Sequence, residues 1–230
     1  MVFPCCLARF YDRVTRFSGY VSLIYKCSMI NLSKNSKISL EKNGIELKEI
    51  TIGLDWGSIK HKTFFGLMNN DEAVDLDGSV SLFNKDKKEI ETIYYNNLKS
   101  KNGAIKHSGD DRIGDSGADN KDNEVISINL EKIATEVDTV FFYLNSYKQQ
   151  DFAKIPYSKI RIMEGKHHNP KNVFANFNLS ADTTFSGYVS MLMAKLKRAQ
   201  GSRWEFTALG QPIAAKDIAG TIRLIQSEYL

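Results

Sequence analysis

Acidic and amide side chains are crowded into one stretch of the sequence, from His107 to Glu124, where glycines separate them. Two carboxylates at about 5 Å repel each other by roughly 3 kcal/mol when the effective dielectric constant is about 20. A cation relieves this repulsion, and calcium takes about 6 to 8 oxygen ligands from carboxylates, amides, backbone carbonyls and water. The stretch therefore predicts either a calcium-binding loop or an acidic turn that solvent keeps apart.

The chain of 230 residues is 42% hydrophobic, which is enough for one substantial core. Residues 1–28 hold four basic residues and one acid, so most of the formal charge of +4 belongs to them. The other 27 basic and 26 acidic residues nearly balance, which argues against a nucleic-acid-binding protein. All three cysteines also lie in residues 1–28, so the rest of the chain is no disulfide scaffold and a reducing compartment is expected.

Residues 1–28 differ in character from the rest. Charged residues interrupt their apolar ones, which argues against a signal peptide, and the apolar run over 19–25 is too short to span a bilayer. We expect Met29 to be the native start and residues 1–28 to be an atypical leader outside the native protein. A weak amphipathic membrane anchor is the alternative.

From Met29 onward, period-two alternation and β-branched or aromatic runs predict about ten short strands. The predicted strands cover residues 36–40, 50–54, 74–83, 90–95, 125–130, 137–146, 157–164, 173–179, 186–196 and 204–209. Asp75 and Asp77 point to the same side of their strand, because side chains alternate. The nearly all-apolar residues 140–144 predict a central, buried strand.

The last segment predicts a helix, because Ile218, Ile222, Ile225 and Tyr229 have the spacing of one helical face. The whole pattern is typical of a mostly β fold, a two-sheet β-sandwich with a C-terminal helix and long acidic calcium-binding loops. No repeat or linker interrupts residues 29–230, so we expect one domain there. An apolar tip at residues 64–68 either faces a partner or membrane, or covers one end of the sandwich.

Six separated motifs carry a family resemblance: Asn31-Leu-Ser-Lys34, Ile52-Gly-Leu-Asp-Trp56, Val74-Asp-Leu-Asp-Gly-Ser79, His107-Ser-Gly-Asp-Asp-Arg112, Asp122-Asn-Glu-Val-Ile126 and Trp204-Glu-Phe206. In this order they resemble the TerD family of tellurium-resistance and general stress proteins, some of which are described as cAMP-binding relatives. The resemblance covers residues 29–230. It implies a bacterial, non-enzymatic stress-response β-sandwich, cytoplasmic or peripheral at the inner membrane face. Its expected partners are calcium, other stress-response proteins or the inner membrane surface.

The resemblance also implies which residues bind calcium, namely an Asp-x-Asp strand and a His-Ser/Thr-Gly-Asp loop. The corresponding positions here are Asp75, Asp77, Asp110, Asp111, Asp115, Asp119, Asp122 and Glu124. Two carboxylates on a strand cannot complete a calcium shell alone, whereas a long acidic loop folded over them supplies the missing oxygens for one or two ions. Many relatives have a denser Gly-Asp-Asp tract where this chain has Ala118-Asp119-Asn120-Lys121. Lys121 places a cation in the loop and weakens the expectation for Asp119 and Asp122.

Rival chemistries are weakly supported. Gly114-Asp115-Ser116-Gly117 resembles the nucleophile motif of chymotrypsin-like proteases, but it has no familiar histidine context. His167 and His168 are adjacent and face opposite ways on a strand, so a zinc site is not expected. His107 either orients a carboxylate or caps a turn.

Three functions follow. The first is a calcium-dependent, non-enzymatic stress-response module. The second is a calcium-dependent membrane-surface or adaptor module. The third is a metal-dependent hydrolase, which lacks an evident acid–base group beyond His107.

Overall fold

The computed structural model describes residues 29–61, 70–116, 121–166, 172–180, 182–199 and 203–230. The apolar tip at 64–68, His167 and His168 lie outside these residues, as does the leader. The strands are β1 (Ile30–Leu32), β2 (Lys37–Ser39), β3 (Glu41–Lys42), β4 (Ile45–Glu46), β5 (Glu49–Trp56), β6 (Ile59–His61), β7 (Asn70–Glu72), β8 (Leu76–Phe83), β9 (Glu89–Ile93), β10 (Ile105–His107), β11 (Glu124–Asn129), β12 (Thr139–Ser146), β13 (Tyr157–Glu164), β14 (Val173–Ser180), β15 (Ser190–Arg198) and β16 (Trp204–Ile213). A helix, α1 (Ile218–Leu224), follows them and continues as a π-helical segment, Ile225–Tyr229.

Two six-stranded sheets form the fold, as the alternation predicts. The first sheet has the order β1-β14-β13-β5-β11-β10, and the second has β2-β16-β15-β12-β8-β9. All neighbours within the two sheets are antiparallel except β1 and β14. The predicted apolar strand at 140–144 is confirmed as the central part of β12, which is buried throughout between β8 and β15.

The main core lies between the two sheets, where alternate residues of each strand meet. Ile52 and Leu54 of β5 belong to this core together with Val80 of β8 and Leu144 of β12. Their neighbours on each strand face outward, which puts Asp77, Ser79 and Ser81 on the outer face of the second sheet. Asp77 therefore lies on the side of the second sheet that faces away from the main core.

The C-terminal helix covers part of this outer face. Ile225 is fully buried in a second apolar cluster with Phe83, Phe141 and Tyr143. The Asp217 side chain caps α1 by accepting a hydrogen bond from the Gly220 backbone N–H at 2.6 Å. Both strands β8 and β12 are consequently buried on both faces, which explains why they read as nearly unbroken apolar or small-residue runs.

The structure has more strands than the roughly ten predicted. The additional ones, β1, β3, β4, β6, β7 and β10, have only two or three residues each, too few to show a period. In the described part of the chain, no helix is long and apolar enough to span a membrane.

Truncation of the buried helix residue tests this packing. Ile225→Ala should lower the free energy of unfolding by about 2–5 kcal/mol, the usual cost of a large-to-small core substitution. Arg223→Ala, at an exposed position of the same helix, serves as the control and should change it by less than about 0.5 kcal/mol. Equal effects of the two substitutions in urea denaturation would show that the helix does not pack as described.

Candidate metal centre

Three of the predicted ligands meet at one end of the second sheet. Asp75 immediately precedes β8, Asp77 lies within it, and Asp110 comes from the loop after β10. One carboxylate oxygen from each lies within 4.8 Å of those from the other two. Asp75 and Asp77 are each only 6% exposed, whereas Asp110 is exposed. The prediction that Asp75 and Asp77 share one side of their strand is confirmed.

A cavity of about 130 Å³ lies against the three carboxylates, and Tyr95, Tyr147 and Arg112 complete its lining. Arg112 donates from Nε to Oδ2 of Asp110 at 2.8 Å. Lys148 Nζ lies 3.8 Å from Oδ2 of Asp75, at the outer limit of an ion pair. Among the described residues, no side chain forms an ion pair or a hydrogen bond with the carboxylate of Asp77. The innermost acid of the group is therefore the one whose charge is least balanced.

The proton affinity of these acids reflects this imbalance. Burial, followed by the neighbouring charges of Glu124, Asp110 and Asp75, raises the pKa of Asp77 to about 7. Burial also raises the pKa of Asp75, against the opposing effect of Lys148. In the absence of a cation, the raised pKa of Asp77 means that the cluster binds a proton near neutral pH, which reduces its negative charge.

Glu124 lies on the opposite side of β8 from this cavity. It begins β11 and pairs in register with Leu54, so it projects between the two sheets, where it is fully buried. Its Oε2 accepts a hydrogen bond from the Gly78 N–H at 2.8 Å and lies 3.2 Å from Nε2 of His107. Glycine at this position of β8 leaves room for the carboxylate, because a Cβ at Gly78 would be 2.4 Å from Oε2 of Glu124 and would displace it.

His107 has both of its predicted roles, because it orients this carboxylate and also caps the turn that follows it. The Gly109 N–H donates to its Nδ1 at 3.1 Å, which puts the ring proton on Nε2. From there it points to the Gly78 carbonyl, at 3.0 Å, and to Glu124. Burial raises the pKa of Glu124, and the hydrogen bond from His107 opposes this rise. The pair ties the edge of the first sheet to the strand that carries Asp77.

The acidic loop bridges the ends of both sheets. Ser108 and Val125 clamp its two ends through reciprocal hydrogen bonds of 2.8 and 2.9 Å. Asp111 accepts hydrogen bonds from the backbone N–H groups of Ile113, at 2.9 Å, and Gly114, at 3.1 Å. Gly114 has a φ of +70° and packs against the ring of Trp56, where a Cβ would approach to 2.9 Å. Asp111 thus shapes the turn that delivers Asp110.

The backbone at residue 115 joins the loop to the first sheet. The Asp115 N–H donates to the Trp56 carbonyl at 3.0 Å, and the Asp115 carbonyl accepts from the Ser58 N–H at 2.8 Å. One side-chain oxygen of Asp115 accepts from Nδ2 of Asn123 at 3.3 Å. This arrangement places Asp115 next to β5, not among the three clustered carboxylates.

Asp122 lies on the outer face of the first sheet. Its Oδ1 accepts a hydrogen bond from Nε of Arg161 at 2.6 Å, and its carboxylate occupies the space beside Gly53. The neighbouring Asp55 accepts from Nζ of Lys159 at 2.8 Å and is 1% exposed. Asp122 is therefore on the other side of the sandwich from the cluster, and the guanidinium of Arg161 balances its charge.

The eight predicted ligands thus divide into groups. Asp75, Asp77 and Asp110 form the cluster. Glu124 supports it from the core side of β8, and Asp111 supports it through the turn that carries Asp110. Asp115 and Asp122 lie against the first sheet. Asp119 lies outside the described residues. No local pattern marks Tyr95, Tyr147 or Arg112 as lining residues, because their proximity depends on three separate connections meeting at one end of the fold.

The donor set of the cluster fits a hard divalent cation. Three aspartates offer six carboxylate oxygens, and the group contains no sulfur or imidazole ligand. The unbalanced, largely buried carboxylate of Asp77 is an independent sign of fit, because a cation there would replace the proton that burial otherwise favours. These three residues could hold a metal ion.

The raised pKa of Asp77 predicts how the metal-free protein responds to pH. An aspartate in the unfolded chain has a pKa of about 3.9, so between about pH 4 and pH 7 the folded state keeps a proton that the unfolded state has lost. Stability from this group is present in full below pH 4 and is lost as the pH rises through about 7. Asp77→Asn should flatten the fall in melting temperature across this window. If the melting temperature falls equally with pH in the variant and the wild type, the pKa of Asp77 is not raised in the folded state.

Comparison with known proteins identifies the family. A profile of the TerD domain matches residues 29–223. The tellurium resistance protein TerZ of Serratia marcescens is 32% identical over 193 residues, which cover 83% of this chain and 93% of TerZ. The stress response protein SCP2 of Bacillus subtilis is also 32% identical over 193 residues, covering 79% of this chain and 92% of SCP2.

A solved structure shares the fold. The crystal structure of a homologue of the telluride resistance protein TerD from Streptomyces coelicolor superposes with a TM-score of 0.57 at 14% identity. The match covers 80% of this chain and 97% of that one. The profile match and the full-length relatives together confirm the resemblance seen in the six motifs: the chain belongs to the TerD family of tellurium-resistance and stress-response proteins.

Proposed function

We propose that this protein is a non-enzymatic, calcium-binding member of the tellurium-resistance and stress-response family, with the ion held by Asp75, Asp77 and Asp110. The observation that carries the proposal is the approach of three carboxylates to within 4.8 Å, with Asp77 left without a counter-ion among the described residues. The relatives TerZ and SCP2, a tellurium resistance protein and a stress response protein, supply the biological setting.

Calcium is favoured over magnesium by the shape of the donor set. Asp77 lies in β8, Asp75 immediately precedes it and Asp110 lies in the loop after β10, so the oxygens come from two separate segments. Calcium accepts 6 to 8 oxygens in flexible geometry at about 2.3–2.6 Å, whereas magnesium requires a tighter octahedron. Water and backbone carbonyls would supply the remaining ligands. A second ion beside Asp119 and Asp122 stays a separate prediction, to which Arg161 is an electrostatic obstacle.

A hydrolase is less well supported. A metal-dependent hydrolase needs an acid–base group beside an open coordination position. His107, the candidate from the sequence, is buried between the sheets with both ring nitrogens engaged, on the far side of β8 from the cavity. Ser116 of the protease-like motif is not hydrogen-bonded to a histidine within the described residues.

Calcium should stabilise the protein by mass action. At 100 times the dissociation constant, an ion that binds only the folded state adds about 2.7 kcal/mol. For a chain of this size, that corresponds to a rise of about 5–10 °C in melting temperature. Magnesium at the same concentration should give a much smaller rise, because its octahedral shell is poorly matched here. Differential scanning calorimetry of the full chain measures both.

Asp77→Asn should abolish most of the calcium-induced rise. Asp86→Asn, which removes an exposed acid from the turn between β8 and β9, is the matched control and should keep it. A rise that survives Asp77→Asn, or is equally large with magnesium, would rule out the proposed site.

A second candidate function is calcium-dependent docking to a membrane surface. Ile113, 67% exposed, follows Arg112 in the acidic loop, and Arg112 lines the cavity. An exposed apolar side chain is therefore adjacent in sequence to a cation of the metal centre. Full-chain protein should then co-sediment with phosphatidylserine vesicles in calcium and not in chelator, and Ile113→Ser should weaken this. Equal sedimentation with and without calcium would exclude this function.

A further inference from the structure

A second, larger cavity adjoins the metal centre. It has a volume of about 360 Å³, in the range of small-molecule sites. It shares Asp77, Tyr95 and Tyr147 with the smaller cavity, and its other walls come from the end of β12 and the start of α1. A molecule in this cavity would therefore be adjacent to any ion held at Asp77.

The wall of this cavity is braced by the chain itself. Gln149 donates from Nε2 to the Ser146 carbonyl at 3.2 Å and to the Lys216 carbonyl at 2.9 Å. These bonds join the connection after β12 to the turn before α1. The Ser146 hydroxyl oxygen accepts from the Gln150 N–H at 2.7 Å, which fixes the same connection from below. The cavity is thus a formed part of the fold.

Asn145, which lines this cavity, carries a buried acceptor without a donor. Its Nδ2 donates to the hydroxyl oxygens of Ser190, at 2.6 Å, and Thr221, at 2.9 Å. Each hydroxyl already donates its own hydrogen to a backbone carbonyl. The Ser190 hydroxyl donates to Ala215 at 2.9 Å, and the Thr221 hydroxyl donates to Asp217 at 3.0 Å. The amide cannot be reversed without placing its N–H₂ against nothing and its oxygen against two acceptors.

The orientation of the Asn145 amide is therefore set, and its Oδ1 has no hydrogen-bond partner among the described residues. Asn145 is 3% exposed, and an acceptor left unpaired at such depth is unfavourable. Asn145 also pairs in register with Asp77 on β8, so the two side chains lie on the same face of the sheet. A hydrogen-bond donor placed in the cavity beside Asp77 would therefore satisfy the unpaired Oδ1 of Asn145.

The rim of the cavity adds aromatic surface. Tyr147 is 66% exposed and Tyr95 is 37% exposed, so both rings are accessible at the edge of the cavity that they line. Tyrosine rings present flat apolar faces with a hydroxyl at one end. Flat apolar faces suit the C–H face of a saturated ring, while Asn145 and Asp77 suit its hydroxyl groups.

We propose that this cavity binds a neutral, ring-shaped polyol of monosaccharide size, with Asn145 Oδ1 accepting from one hydroxyl group and Tyr95 and Tyr147 packing against the ring. This site rests on the proposed metal function. Asp77 would hold the cation, and a second hydroxyl oxygen of the polyol would face that cation. Calcium readily takes neutral oxygen ligands, which leaves room for such a hydroxyl beside three carboxylates.

Saturation-transfer NMR on the full chain tests this with D-mannose, D-ribose and myo-inositol as probes, each measured in calcium and in chelator. At least one probe should receive saturation in calcium and none in chelator. Cyclohexanol, a ring with a single hydroxyl group, should receive none.

Ala219→Phe should fill the α1 side of the cavity from an exposed position and leaves the side chains of Asp75, Asp77 and Asp110 themselves unaltered. Saturation transfer should then fall to the level of the chelator sample, while the calcium-induced rise in melting temperature stays as in wild type. Ala214→Phe, at an exposed alanine outside the cavity, should keep both. Asn145→Leu should also lose the transfer.

The two proposals fail in different ways. If calcium raises the melting temperature but no probe receives saturation, or if Ala219→Phe leaves the transfer unchanged, the polyol site is overturned and the metal site stands. If calcium changes nothing in the wild type, both are overturned.

Discussion

Repulsion between like charges is the constraint around which this end of the molecule is built. Asp75, Asp77 and Asp110 are held close together while burial removes the water that would screen them. The fold does not relieve the repulsion at its centre: Arg112 and Lys148 approach the two outer acids, and Asp77 keeps a pKa near neutrality. A fold that holds carboxylates in this way is suited to binding a cation or a proton at Asp77.

The two sheets divide the work of holding this geometry. The second sheet fixes Asp77 through β8, which is covered by the core on one side and by the C-terminal helix region on the other. The first sheet reaches across through Glu124 and His107, whose contacts at Gly78 set the backbone directly beside Asp77. The acidic loop then brings Asp110 over the top. A displacement of either sheet would change the spacing of the carboxylates.

Local patterns in the sequence predicted the mostly β fold, the buried strand β12, the C-terminal helix and the shared side of Asp75 and Asp77. These depend on alternation within a strand or a helix and are visible without tertiary information. The sequence did not predict that Glu124 turns inward to His107 or that Asp122 pairs with Arg161, because both depend on which strands become neighbours. The sequence pattern therefore predicts one site from acidic residues that are close in sequence, although the fold places them on opposite faces of the two sheets.

Placement of the ion is the most direct test of this arrangement. We expect a crystal structure of the full chain grown in calcium to show one strong anomalous peak bound by carboxylate oxygens of Asp75, Asp77 and Asp110, with Asp122 still paired to Arg161. A peak bound instead by Asp122 and Asp115, with no density between Asp75 and Asp77, would show that the three clustered carboxylates do not hold the ion.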